Sequence, residues 1–486
     1  MPESSQHRGD AIFALPRKPR SARLFGHLPG WREDLGDRGV AVVAGDSPEL
    51  AVASSDQVPA ALSCGASSVV VDSGRAAFVR LRRAGLVVRT LLPIPIHGSP
   101  ILYIDLDHPP AARYGIATRG STTGRLLLLR DRIAGAAAAR GVLARAVPGV
   151  AVAAQTNGAP ALLLAAAREL GVPEAVGWNM IVSPGSAMRR NAFLMFTPGS
   201  SEPDYALKFS RVPKLTVQFE REERGVSATR AAGGTVASAA PDFLGRVEVD
   251  GHHASLETAA RGVRLAAFLR GPAAAREKLE AIEQVVRWLE HVARETASPP
   301  ETLSSTRERL ARDVMPDYSG RVTADLVDRL PLVPSVFCHN DPSEENIVQG
   351  DRGMTLLDWE WAERHGLPLA DLVYFGAGVL RILDGVSRDE ERVSHFVALM
   401  LGRAPSSERM FAWVERMSSA LELPREAVGP LVTLGVLDHG YTSRRERHRF
   451  EKASGAPLAP AAAERFADAW LSEPGLGAEW PAWHPA

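Results

Sequence analysis

Cysteine is nearly absent: 486 residues include two, Cys64 and Cys338. Two scattered thiols cannot build a disulfide framework or a Cys-ligated zinc site, and this usage suits a reducing cytoplasm. Net charge is equally scarce, at -1, which leaves no electrostatic footprint for nucleic acid or an anionic membrane. Long apolar runs are missing too. The longest, Ala159 to Ala167, is broken by Pro160 and is less than half of the roughly 20 residues that span a bilayer. The opening MPESSQHRGDAIFALPRKPR places charges and prolines where a signal peptide needs an unbroken apolar core. These absences predict a cytoplasmic chain that acts on neither nucleic acid nor membrane; oligomeric state leaves no trace in them. The last scarcity is lysine. Lys18, Lys208, Lys214, Lys278 and Lys452 are the only lysines among 56 basic residues, so a lysine inside a strand needs a reason.

What is present is the composition of an ordinary globular protein, 45% hydrophobic and 23% charged, long enough for about two to four domains. Residues 1–30 mix Pro, Arg, Ser and Gly without periodicity and read as a flexible tail. From there to 155 the pattern alternates. VAVV at 40–43, SSVVVD at 67–72, LVVRTLL at 86–92 and ILYIDLD at 101–107 are strand-like, and AAFVRLRRAG, ending at Gly85, is helical. This predicts a small α/β module with a partly parallel sheet, of unknown role. LRRAGLVVRTLLPIP resembles the late strands of methyltransferase-like domains, although no Gly-rich cofactor loop precedes it. TRGSTTGR, 118–125, lacks the spacing and lysine of a phosphate-binding P-loop and reads as a surface loop. A helix is expected from Arg125 and another over 161–171, the latter stopped by Gly171 and Pro173. Strands and turns dominate from about 156 to 265. From Lys278, apolar residues recur at helical steps through Leu279, Ile282, Val285, Val286, Leu289 and Val292. A β-rich segment is therefore followed by a larger helical one, 266–475.

Chemistry concentrates at 336–346, VFCHNDPSEEN, where His339, Asp341 and Asn346 form His-x-Asp, four residues, Asn. Chance would produce that pattern on the order of 0.01 times in such a chain, so it needs a cause. Twelve residues on, LLDWE places Asp358 after a short apolar run. Phosphoryl transfer requires a carboxylate that orients the attacking hydroxyl and accepts its proton, and hard oxygen ligands for Mg²⁺. Asp341 suits the first task, Asn346 and Asp358 the second, and His339 reads as scaffold. Lys208 lies in YALKF, an alternating strand, where a compact ammonium can reach nucleotide phosphates as a point charge. A glutamate on a following helix should hold it. FEREERG offers Glu220, Glu222 and Glu223, with Glu222 the expected partner. Upstream, Ser183, Gly185 and Ser186 occupy the turn of a hairpin, MIVSPGSAMRRNAFLMF, where a nucleotide-covering loop would lie; ASLETAARG at 254–262 would be the hinge that meets adenine. SRRERHRFEK, 443–452, reads as a solvated helix face, and Trp359, Trp361 and Tyr374 as core packing.

The order of loop, lysine, glutamate and Asp/Asn/Asp set over about 160–470 resembles the aminoglycoside phosphotransferase and choline kinase family. That resemblance implies an α+β fold of bilobal protein-kinase type, with a small β-rich lobe at 156–265 and a larger helical lobe at 266–475. It implies ATP and Mg²⁺ as cofactors and a small-molecule hydroxyl as acceptor: aminoglycoside, sugar or amino alcohol. Asp358, Trp359 and Glu360 match the family's metal-binding segment. GLPLADL, ending near Asp371, matches its following motif, whose aspartate is structural. FCHND resembles choline and ethanolamine kinases in particular, but Pro-Ser-Glu-Glu departs from their continuation after the aspartate. Two other roles stay open: a nucleotide-binding regulatory protein without turnover, and a bifunctional chain whose N-terminal module binds a sugar or S-adenosylmethionine.

Overall fold

The structure is a computed structural model and describes residues 8–15, 18–28, 30–45, 47–72, 75–94, 101–118, 135–137, 151–155, 162–172, 175–182, 190–213, 216–322, 324–351, 353–454, 457–477 and 480. The chain forms two compact units, Met1–Phe219 with Asp242–Arg261, and Glu220–Pro241 with Gly262–Ala486. The fold is α+β. Ser183, Gly185 and Ser186, the loop 119–125 and the helix expected from Arg125, apart from 135–137, lie outside the described residues.

The first unit is built on one twelve-stranded sheet. Its strands are β1 (Ser21–Phe25), β2 (Ala41–Val42), β3 (Leu50–Ser54), β4 (Ser68–Asp72), β5 (Val87–Ile94), β6 (Leu102–Asp105), β7 (Ala151–Gln155), β8 (Gly177–Ile181), β9 (Asn191–Phe196), β10 (Tyr205–Phe209), β11 (Phe243–Val249) and β12 (His252–Thr258). Their order is β11-β12-β10-β9-β8-β6-β5-β7-β4-β3-β1-β2. β1 to β4 pair in parallel, and every pairing from β4–β7 to β11–β12 is antiparallel. The partly parallel sheet expected for the N-terminal segment is present, but it does not end at residue 155. β6 pairs with β8 through Leu102↔Ile181, Tyr103↔Met180 and Ile104↔Asn179, and Tyr103, Trp178, Met180, Phe193 and Phe209 share one buried core. The expected divisions at 155/156 and 265/266 are therefore corrected. The sheet runs through the first, because one apolar layer continues across it, and the chain changes units at Arg261/Gly262 instead of at 265/266.

The tail at 1–30 is corrected too. Arg8–Ala14 is a 3-10 helix and Ser21–Phe25 is a strand. Ala11 through Leu15 are all buried. Five consecutive apolar residues bounded by charges and prolines show no period, yet a short 3-10 turn needs none to plug a core. Asp10 anchors the plug: its carboxylate lies 2.7 Å from Arg38 and 3.2 Å from Arg211, and all three side chains are buried. The two guanidinium charges hold the Asp10 carboxyl below its ordinary range against the opposing effect of burial.

The second unit begins with most of the helix Val217–Ala232. Two small sheets follow: β13 (Val263–Arg264), β15 (Ile347–Gly350) and β16 (Gly353–Leu356) form one, and β14 (Val336–Cys338) with β17 (Glu363–Gly366) the other. Around them pack the helices Ala275–Thr296, Ala370–Leu383, Glu391–Met400, Ser407–Ala420, Arg425–Ser454 and Ala462–Ser472. The helical period read from Lys278 onward is observed, with Ile282, Val285, Val286, Leu289 and Val292 on the buried face. Residues 443–452 are not simply a solvated face: Arg447 grips the buried Glu464 at 2.9 Å, and Arg444 reaches Asp317 at 3.1 Å. Among the described residues no helix is long and apolar enough to cross a membrane.

Candidate active site

β14 delivers the chain into a loop held by its own backbone. The Asp371 carboxylate, at the start of the helix Ala370–Leu383, accepts the backbone N–H groups of His339 at 2.6 Å and Asn340 at 2.9 Å. Asn340 adopts a left-handed φ of 64°, a region Asn tolerates better than most residues. Its side chain donates to the Trp361 carbonyl at 2.9 Å. His339 Nδ1 accepts the Asp341 N–H at 3.2 Å, so Nε2 carries the proton and donates to the Leu357 carbonyl at 2.9 Å. With its ring packed 4.5 Å from Trp359, His339 is a brace between the loop and the segment leading to Asp358.

Asp341 is the focus of this arrangement. Asn346 donates its Nδ2 to the Asp341 backbone carbonyl at 3.1 Å and to Oδ2 at 2.9 Å. Tyr374, on the helix Ala370–Leu383, also hydrogen-bonds the Asp341 carboxylate. Desolvation by the surrounding protein, reinforced by the negative charge of Asp358, pushes the Asp341 carboxyl up to about 7, while the Tyr374 hydrogen bond opposes the shift. The phenol of Tyr374 is in turn pushed well above its ordinary range, first by the Asp341 charge and then by burial; it remains a donor. Asp358 closes β16 with a left-handed φ of 60° and begins the 3-10 turn Trp359–Trp361. Asp341, Asn346 and Asp358 therefore belong to one locality. His339 and Asp371 hold the backbone of this locality in place through their hydrogen bonds.

With Nδ2 of Asn346 committed to Asp341, its Oδ1 is the atom left to accept a cation. Among the described residues no group of three or more His, Cys, Asp or Glu stands close enough to hold a metal. One carboxylate and one amide oxygen are a donor set suited to Mg²⁺, which commonly takes one or two protein ligands and fills the remainder with phosphates and water.

The lysine belongs to the first unit. Lys208 is in register with Ser255 on β12 and Ala192 on β9. Its ammonium lies 3.0 Å from Glu257 Oε1 and 3.2 Å from Oε2. Glu257 is thus a partner of Lys208 that sequence reasoning missed, because the search was confined to a following helix while β12 supplies a carboxylate from the neighbouring strand. Glu222 belongs to the second unit. Of the three glutamates considered on its helix it is buried, whereas Glu220 and Glu223 are exposed. That helix is seated against the segment after Asp358 at Gly225, where a Cβ would collide with the Trp359 carbonyl. Arg221, one turn away, lies 4.2 Å over the Trp361 ring and 3.0 Å from Glu446.

Tyr374 is the second residue read too blandly. Its ring stacks on His439 at 4.5 Å with 5° between planes, which is packing, but its hydroxyl serves Asp341. A period-based signal marks only the ring. Glu363 was also missed: half-buried, it is raised above its ordinary range by desolvation and lies 3.7 Å from Arg309, which grips Asp438 with two hydrogen bonds of 2.7 Å.

No protein-family model matches the chain, and no curated protein does. Solved structures similar to it include a candidate aminoglycoside phosphotransferase from Ralstonia eutropha, with 14% identity, a TM-score of 0.40, and coverage of 63% of this chain and 94% of that one. An aminoglycoside phosphotransferase from Streptomyces rimosus has 21% identity, a TM-score of 0.33, and coverage of 57% and 95%. Choline kinase from Cryptosporidium parvum has 12% identity, a TM-score of 0.35, and coverage of 63% and 93%. The structure of this chain is similar to structures of small-molecule phosphotransferases and kinases.

Proposed function

We propose that the protein is an ATP-dependent phosphotransferase whose acceptor is a hydroxyl of a small molecule. The observation that supports this best is the Asp341 carboxylate. It is held by Asn346 and Tyr374, on a loop clamped by Asp371, with Asp358 near enough to act on its charge. A fixed, desolvated carboxylate beside a second acidic group and an amide oxygen is what in-line phosphoryl transfer asks of a protein, since that chemistry is mostly positioning and charge stabilisation.

In this reading Asp341 orients the acceptor hydroxyl and takes its proton as the acceptor oxygen bonds to phosphorus and the bond to ADP breaks. Asn346 Oδ1 and Asp358 would hold Mg²⁺. Lys208, kept in place by Glu257, offers its ammonium to the phosphates. Ser183, Gly185 and Ser186 remain the proposed covering loop. Mg-ATP bound there would supply a phosphoryl group whose negative charge is already partly neutralised. His339 and Asp371 fix where the Asp341 carboxylate points.

The test is to incubate the protein with Mg-ATP and a metabolite extract and search by mass spectrometry for species that gain one phosphoryl group. Asp341→Asn is the control. A product formed only by the intact protein is the expected result. Saturable ATP binding with no product across the extract would reject this reading and favour a nucleotide-binding regulatory role.

A further inference from the structure

Around Glu344 and Asp389, in the same unit as Asp341, stand four arginines, Arg270, Arg381, Arg392 and Arg465. Glu344, three residues after Asp341 and buried, lies 3.6 Å from Arg381 and 3.9 Å from Arg270. Glu345 takes Arg270 at 2.7 Å, and Asp389 takes Arg465 at 2.6 Å. Each of these carboxylates is thereby engaged. Arg392 is left over. Its guanidinium makes no ion pair or side-chain hydrogen bond among the described residues, and its Nε is shielded from solvent without a partner, as are the Nε atoms of Arg381 and Arg465. It lies 5.6 Å over the Phe466 ring.

Phe466 connects this charge to the reaction centre. Together with Phe396, which stacks on it at 4.4 Å, it lines the same cavity as Tyr374 and His439. Tyr374 hydrogen-bonds Asp341, and the Arg392 charge is near enough to act on the Tyr374 phenol. His439 Nε2 is also shielded and without a partner among the described residues. A guanidinium with no ion pair or side-chain hydrogen bond of its own, backed by two more whose Nε donors are unmet, matches the planar oxygens of a carboxylate or phosphate. A cationic amine in that position would be repelled.

We propose that the acceptor is a small hydroxylated anion, a carboxylate or a phosphate ester, whose charged end is held by Arg392 with Arg381 behind it while its hydroxyl is presented to Asp341. This rests on the phosphotransfer reading and narrows it away from aminoglycosides and amino alcohols.

The test splits a metabolite extract by ion exchange into anionic, neutral and cationic fractions and incubates each with the full chain and Mg-ATP, reading phosphoryl products by mass spectrometry. Arg392→Gln and Arg392→Lys are run alongside. Product should form from the anionic fraction. Arg392→Gln should raise the KM for that acceptor about tenfold or more, the size of a lost charge-assisted contact, with kcat and ATP affinity nearly unchanged. Arg392→Lys should recover part of that loss, which separates charge from folding. The mass of the product distinguishes a carboxylate acceptor from a phosphate ester. Product confined to the neutral or cationic fraction, or a KM indifferent to Arg392→Gln, overturns the anionic acceptor and leaves phosphotransfer standing. No product from any fraction, with ATP still bound, overturns phosphotransfer and this inference with it.

Discussion

The Asp341 carboxylate has three influences acting on it that can be separated by substitution: desolvation, the Asp358 charge and the Tyr374 hydrogen bond. Replacing Asp341 with Asn keeps the shape and removes the base, so turnover should fall by about 10²–10⁴-fold with ATP affinity little changed; a binding and turnover comparison checks both halves. Tyr374→Phe is the sharper test. The phenol donates to the charged carboxylate and so holds its pKa down; losing that donor raises it further. As a base must be deprotonated to work, single-turnover rates should climb with pH through about 7 in the native protein and at a higher pH in Tyr374→Phe. A role limited to stacking on His439 would lower the rate without moving that limb. That Asp341, Asn346 and Asp358 share one locality is legible in the sequence because the spacing is local: four residues separate the first two, and a short strand pair brings the third. Tyr374 is not legible, because its hydroxyl reaches Asp341 from a helix 33 residues downstream.

Among the elements, the helix Val217–Ala232 has the least freedom where it matters. Gly225 lets its backbone approach the Trp359 carbonyl, next to the residue proposed to hold the metal. Gly225→Ala must push the helix away or shift Trp359. Overpacking of this kind costs about 1–3 kcal/mol, and here the displacement falls on Glu222 and Asp358. Turnover should therefore fall more than stability does, as comparison of urea midpoints with single-turnover rates would reveal; equal losses would mean the contact is only structural. Element type was readable wherever the period was long, as in Ala275–Thr296, whose apolar residues repeat over about four turns. It was unreadable for Arg8–Ala14 and for β1, which are too short to show a period and are stabilised by what they pack against.

For the whole molecule, the buried Asp10–Arg38–Arg211 cluster ties the N-terminal segment to the end of β10, three residues from Lys208. Asp10→Ala would leave two arginines buried without their shared counter-ion, a loss of about 3–5 kcal/mol. Thermal melts should show it, together with weaker ATP binding if β10 loosens. The pH dependence of stability has its own marker in the same unit. Asp105 on β6 is fully buried, and desolvation pushes it up to about 6 even though Arg89 lies 2.6 Å away. A carboxyl raised on folding favours the native state most below its unfolded pKa and loses that contribution as pH rises through its folded value. Relative to the native protein, Asp105→Asn should therefore gain stability between about pH 4 and 6, measured by denaturant unfolding at both ends of that window. A constant difference would place the charge elsewhere.

The sequence by itself determined the local patterns: the spacing of His339, Asp341 and Asn346, a strand lysine in an arginine-rich chain, long amphipathic helices and a partly parallel N-terminal sheet. Each is written in short spacings or in a repeated period, and both survive as text. Only the tertiary structure decided what depends on partners distant along the chain. It joined the N-terminal strands to those bearing Lys208 in one sheet, gave Lys208 the Glu257 carboxylate, and turned an apparent tail into core. It also left the Arg392 guanidinium without an ion pair or side-chain hydrogen bond among the described residues. The physical reason is common to all four. Burial and charge pairing are properties of what lies next to a side chain in space, and β-pairing or helix packing sets those neighbours over separations that no local pattern records.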